Sequence, residues 1–158
     1  MPSAADIDAA AERISAVVAP TPLEPNPRLS ALTGAHVYLK REDLTRVRSF
    51  KLRGAYNAMA QLDASERAAG VVTASAGNHA QGVALAASLL GIRTTVFMPE
   101  GAPLPKVSAT KGYGAAVEYA ERQRETFPGA EVVVLDGSGR ATATPELHRC
   151  KILGCLYD

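Results

Sequence analysis

Two short runs rich in β-branched residues, Val71-Val72-Thr73-Ala74 and Arg93-Thr94-Thr95-Val96-Phe97-Met98, bracket an alanine-rich stretch from about Asn78 to Leu90 that ends at Gly91. A strand, a helix of that length and a second strand, joined by short connections, read as a βαβ unit with parallel strands and the helix lying across the sheet. The alanines allow that helix a close approach to its neighbours. Downstream, Pro103 or Pro105 can open another helix to about Lys111, because proline is tolerated in a first turn, where its missing N–H is not needed. Upstream, Leu52, Ala55, Met59 and Leu62 recur at helical spacing from Lys51 onward, and Gly70 stands where a turn into the strand at Val71 requires it. The expected fold class is α/β, a mostly parallel sheet with flanking helices.

The N-terminal part reads differently. Ser3 followed by Asp6 resembles a capping box, and Ile7, Ala10, Ala11, Ile14, Val17 and Val18 give an amphipathic first helix that must stop near Pro20-Thr21-Pro22. Val37-Tyr38-Leu39-Lys40 reads as a short strand after a turn at Gly34, and Arg41 to Ser49 as a polar loop. Near the C-terminus a strand is expected at Gly129–Val134, a turn at Asp136-Gly137-Ser138-Gly139, and a short helix from Thr144-Pro145.

Charge and composition narrow the partners. With Lys+Arg 17 against Asp+Glu 16 and a net charge of +1, the chain has no general basic field for a nucleic-acid backbone. No apolar run approaches the roughly 18–20 residues a membrane helix needs, and the N-terminus lacks a basic segment followed by an apolar core. The expectation is a cytoplasmic protein with a small-molecule partner. Cys150, Cys155 and the nearby His148 fall short of the four ligands of a structural zinc, so no metal is expected and the thiols are read as reduced.

Two constellations carry chemistry. The first is Ser49-Phe50-Lys51-Leu52-Arg53-Gly54-Ala55-Tyr56, which places a lysine at a helix start, against the helix macrodipole. Most lysines are solvated surface groups, but one partly withdrawn from water beside a positive helix end can serve as an amine nucleophile and base. The second is Ser75-Ala76-Gly77-Asn78-His79-Ala80-Gln81-Gly82, directly after a strand and opening a helix. Its backbone N–H groups suit a carboxylate or phosphate; equally, Ser75 or Asn78 could simply be a helix cap.

Taken in order, Thr21-Pro22-Leu23, Lys40-Arg41-Glu42-Asp43-Leu44, the lysine segment, the Ser75–Gly82 segment, and Met98-Pro99 through Lys106 to Gly112-Tyr113-Gly114-Ala115 resemble the fold-type II pyridoxal-phosphate (PLP) enzymes. Within that group they are most similar to the biosynthetic threonine dehydratases and their serine dehydratase and serine racemase relatives, from Ile7 to Val117. The resemblance implies that Lys51 is the Schiff-base lysine and moves the proton at the substrate Cα, and that Phe50 packs against the cofactor ring. It implies that Asn78 bonds the ring hydroxyl, and that Ser75, Gly77, Asn78 and His79 form the loop receiving the substrate carboxylate, His79 through its backbone rather than as an acid or base. The implied reaction is dehydration and deamination of L-threonine or L-serine to a 2-oxo acid and ammonia.

The resemblance also implies domains: residues 1–55 as the first piece of a large domain, 56–117 as most of a small one, and 118–158 as a divergent tail. The family's glycine-rich phosphate loop and pyridine-nitrogen partner are not displayed in this sequence, and Thr45-Arg46 stands where relatives commonly carry Gln and Pro. An inactive, truncated fragment acting as a binding or partner-dependent domain is therefore the alternative. Apolar faces left uncovered on the first helix and early strands would then favour self-association or a homo-oligomer.

Overall fold

The structure, a computed structural model, describes residues 2–119 and the backbone of residues 151–152. The first helix, α1 (Ala4–Ile14), starts at the capping box: the Ser3 hydroxyl accepts the Asp6 N–H and the Asp6 carboxylate accepts the Ser3 N–H. It buries none of its residues, and Ile7 is 62% exposed. The chain then turns so that Val18, past the helix, enters the core. Two short strands, β1 (Leu23–Pro25) and β2 (Tyr38–Lys40), pair antiparallel with Leu23 opposite Lys40, and α2 (Pro27–Thr33) lies between them in sequence. Asn26 caps α2 by accepting the Leu29 N–H, Pro27 occupies its first turn, and Gly34 ends it at φ 68°. Neither β1 nor α2 is expected from the sequence pattern, since each is too short to show a period. Both strands are exposed along their length.

The second part holds the βαβ units. A 3₁₀ turn (Glu42–Leu44) leads through a loop to α3 (Lys51–Met59) and α4 (Ala64–Ala69), then β3 (Val71–Ala74), α5 (Asn78–Leu90), β4 (Thr94–Met98), α6 (Leu104–Gly112), β5 (Ala116–Tyr119) and β6 (Lys151–Ile152). The sheet order is β5-β4-β3-β6 with every pair parallel: Val71 lies opposite Thr94 and Lys151, and Thr95 opposite Ala116. The predicted helix at Asn78–Leu90 and its stop at Gly91, φ 66°, agree with the structure. The α3 helix is shorter than its apolar period, because Leu62 is buried from the turn beyond the helix end. Arg67 on α4 reaches back to the carbonyls of Ala60 and Leu62, which satisfies that end.

Every residue of α5 from His79 to Ala87 is buried. A helix covered all round must have neighbours on all sides. One core cluster joins it to α3 and β3 through Leu52, Met59, Val71 and Val83; the other joins it to β4 and α6 through Ala84, Val96, Met98 and Val107. Tyr113 packs against both. The expected features at Gly129–Val134, Asp136–Gly139 and Thr144-Pro145, and the thiols Cys150 and Cys155 with His148, lie outside the described residues. Among the described residues no helix is long and apolar enough to cross a membrane, and no three His, Cys, Asp or Glu side chains are grouped to hold a metal.

The contact between α3 and α5 leaves no room for a side chain at Gly82. A Cβ there would stand 3.0 Å from the Lys51 carbonyl carbon and 3.1 Å from the Leu52 nitrogen. Gly54, on α3, has nothing within 4 Å of its own would-be Cβ. Gly82→Ala is therefore expected to lower stability by about 1–3 kcal/mol through forced separation of two backbones. Gly54→Ala is expected to raise it by about 0.5–1 kcal/mol through reduced unfolded-state entropy. Urea unfolding midpoints of the two variants, shifted in opposite directions, test both.

Candidate active site

Lys51 is the first residue of α3, half-buried, with Phe50 at the cap position and its own N–H donating to the Ser49 hydroxyl at 3.5 Å. Its Nζ lies 5.3 Å from the centroid of the Phe50 ring, within cation–π range. The Phe50 ring is 59% exposed. The predicted position of this lysine at a helix start, against the macrodipole, is the one observed.

The loop that delivers Lys51 is tied at several points. The Thr45 hydroxyl donates to the Ser49 carbonyl at 2.8 Å and accepts the Ser49 N–H at 3.0 Å, bracketing the residue two before the lysine. Between them Arg48 adopts φ 57°, the left-handed region that a non-glycine residue enters at a cost. Val47, 1% exposed, anchors the loop in the core. The Tyr113 hydroxyl donates to the Arg46 carbonyl at 2.9 Å, pinning the loop to the turn after α6. Below the lysine, Arg53 on α3 makes a two-pronged pair with Glu42, each N–O distance 2.9 Å, and Thr21 donates to the same carboxylate at 2.6 Å. The 3₁₀ turn, the segment after α1 and the first turn of α3 thus converge on one carboxylate.

At the start of α5 the cap position belongs to Gly77, which has no side chain to offer a cap bond. Ser75 accepts the Gly77 N–H at 3.2 Å and Asn78 accepts a hydrogen bond from the Lys106 ammonium at 2.6 Å. His79, 9% exposed, is buried in the first turn of α5. Gly82, one turn past Asn78, is the point at which α5 meets the backbone of Lys51. That crossing lies one turn beyond Asn78, so the element carrying Lys51 and the element that begins at the Ser75–His79 turn meet near the start of α5.

Sequence reasoning missed Thr45, the Glu42–Arg53 pair, Gly82 and Lys106. Gly82 and Lys106 lay inside segments already singled out. Their signal was a small residue on a buried helix and a cation on the face of a helix expected to cover the sheet.

This arrangement, a parallel α/β unit with a helix-start lysine whose backbone lies against a buried helix, has its counterpart among cofactor-dependent enzymes. The model of the pyridoxal-phosphate dependent enzyme family matches residues 14–146, and the chain belongs to that family. The match continues past Val117, where the resemblance was expected to end. The chain is 52% identical over 142 residues to the L-threonine dehydratase biosynthetic IlvA of Mycobacterium leprae, covering 90% of this chain and 33% of that protein. Among solved structures, it superposes on serine racemase from Dictyostelium discoideum with a TM-score of 0.75 at 34% identity, over 95% of this chain and 45% of that one. The processed form of threonine deaminase isoform 2 from Solanum lycopersicum gives 0.63 at 42% identity, over 75% and 36%. The fold is that of the fold-type II group, and the chain spans about a third of the length of the curated relatives it matches.

The Arg53 guanidinium, with the Thr21 hydroxyl, holds the Glu42 carboxyl below its ordinary value. A depressed folded-state value means the pair stabilises in full above about pH 4.5, the ordinary glutamate value, and ceases to do so as pH falls through the folded value. Glu42→Gln is expected to lose roughly 1–2 kcal/mol at pH 7. Its difference from the unaltered protein should shrink toward zero in unfolding curves taken at successively lower pH.

Proposed function

We propose that this chain carries the lysine half of a PLP site whose reaction is the dehydration and deamination of L-threonine, or of L-serine, to a 2-oxo acid and ammonia. The observation that carries the reading is the α3–α5 crossing at Gly82, which sets the backbone of Lys51 against the N-terminal half of a buried helix. Membership in the PLP family supports the cofactor, and the relatives named threonine dehydratase and threonine deaminase support the substrate.

The donor set fits the cofactor. PLP presents an aldehyde, a ring oxygen and a phosphate; Lys51 offers an amine for the first and Asn78 an amide for the second, while the reading assigns no described residue to the third. When bound, PLP supplies the electron withdrawal that lets a bond at the substrate Cα break with its electrons left behind. The chain's own groups do the rest. The Lys51 amine would accept the substrate Cα proton. Ser75, Gly77, Asn78 and His79 hold the substrate carboxylate at the positive end of α5, which favours an anion. Phe50 covers one face of the ring and limits water. The same reading carries an amino-acid substrate, no nucleic-acid or membrane partner, and a cytoplasmic location.

We assign α1, β1, α2 and β2 to a larger domain and the four-stranded sheet with α5 and α6 to a smaller one, with α3 passing between them. One observation also favours a partner-dependent unit: Ile7, Leu23, Leu32 and Tyr38 are each more than half exposed on these early elements. A second copy of the chain or further polypeptide of the enzyme would cover them.

Treating the full chain with PLP and then borohydride should leave a reduced pyridoxyl adduct that peptide mass spectrometry places on Lys51. The Lys51→Ala variant should carry none there. A folded protein without the adduct sinks the reading. An adduct without 2-oxobutanoate release from threonine favours the partner-dependent unit.

A further inference from the structure

Lys106 is the third residue of α6, which packs beside α5. Its backbone is held in the first turn by a 2.9 Å bond from its N–H to the Pro103 carbonyl, and its carbonyl accepts the Thr110 hydroxyl. Its ammonium reaches across to the Asn78 Oδ1 at 2.6 Å, and both residues are half-buried. An amide side chain has two faces, an oxygen that accepts and a nitrogen that donates, and either can be turned toward a neighbour. An ammonium only donates. The Asn78 oxygen must therefore be the atom on Lys106, and the amide nitrogen is what remains to meet a ligand.

We propose that Lys106 is a positioning residue that fixes the Asn78 amide with its nitrogen outward, so that the site accepts the cofactor's ring oxygen as an anion and not as a hydroxyl. This rests on the reading given under Proposed function, in which Asn78 bonds that oxygen. A ring hydroxyl would donate, and would need the Asn78 oxygen that Lys106 already holds. An anionic ring oxygen accepts, and matches the outward N–H. The ammonium behind the amide has the sign that favours the same anion. With the ring oxygen deprotonated, the proton of the Lys51-bound cofactor resides on nitrogen. That form withdraws electrons more strongly from carbon, so a residue on α6 that need not touch the cofactor would set the state in which it reacts.

The test has two readouts. In the cofactor-free chain, the side-chain amide NMR signals of Asn78 should move in Lys106→Met and remain near their original position in Lys106→Arg, which also only donates. With PLP added, the form with its proton on nitrogen absorbs in the visible and the form with its proton on oxygen in the near-ultraviolet. The visible-to-ultraviolet ratio should fall roughly tenfold in Lys106→Met, the size expected for loss of a charge-assisted hydrogen bond. Lys106→Arg should restore it. Lys106→Gln should not, because its own amide can accept as well as donate and so leaves Asn78 free to turn. If Lys106 only braces α6 against α5, Lys106→Met lowers the unfolding midpoint and leaves the ratio unchanged, which overturns the proposal. A missing Lys51 adduct in the unaltered protein overturns the parent reading and this one together. An adduct with an unchanged ratio overturns this one alone.

Discussion

The approach of two backbones at Gly82 is the contact on which the rest of the arrangement depends. Helices usually meet through side chains, at interaxial distances set by their bulk. Here the first turn of α3 lies against α5 with only a hydrogen atom between them. That closeness explains the glycine at position 82 of α5, while Leu52, Met59, Val71 and Met98 of α3, β3 and β4 supply larger groups to the two cores. It also explains how a residue at the surface end of one helix becomes a neighbour of a turn that belongs to a different supersecondary unit.

Polar groups then decide what the packing leaves undetermined. Apolar burial brings α3 to α5, but it does not fix the rotation of the loop that carries Lys51. The Thr45 clamp on Ser49, the Tyr113 bond to Arg46 and the Glu42–Arg53 pair each restrain one part of that loop, from three different directions in the chain. The left-handed Arg48 is sustained by these restraints, since nothing about an arginine favours φ 57°. The site is thus assembled from two kinds of interaction with separate tasks, one setting distance and the other orientation.

Much of this was legible in the sequence because its signals are local. The length of α5, its glycine stop and the parallel strands on either side follow from residue spacing and turn chemistry alone. The capping box at Ser3 was equally plain. The shorter pieces β1, α2 and α4 were not, although α4 opens with its own box from Asp63 to Glu66; six residues show too little periodicity to attract notice. Of the candidate site, the helix-start positions of Lys51 and of the Ser75–His79 turn were legible. What could not be read was partnership. That Asn78 faces Lys106, 28 residues on, and that Thr45 serves Ser49 and not its own turn, depend on which elements the fold sets side by side.

The two-stranded ribbon at the other end of the chain carries a different kind of information. Leu23, Tyr38 and Leu39 are exposed there, and bare strands with apolar side chains commonly recruit other chains edge to edge. Prolines at positions 22, 25 and 27 remove three backbone donors from the β1 side within six residues. A foreign strand would find no continuous ladder to extend. The apolar face of the ribbon stays open to a surface laid flat upon it, while sideways growth into aggregates is discouraged, so the ribbon's sticky face and its guarded border coexist in the same few residues.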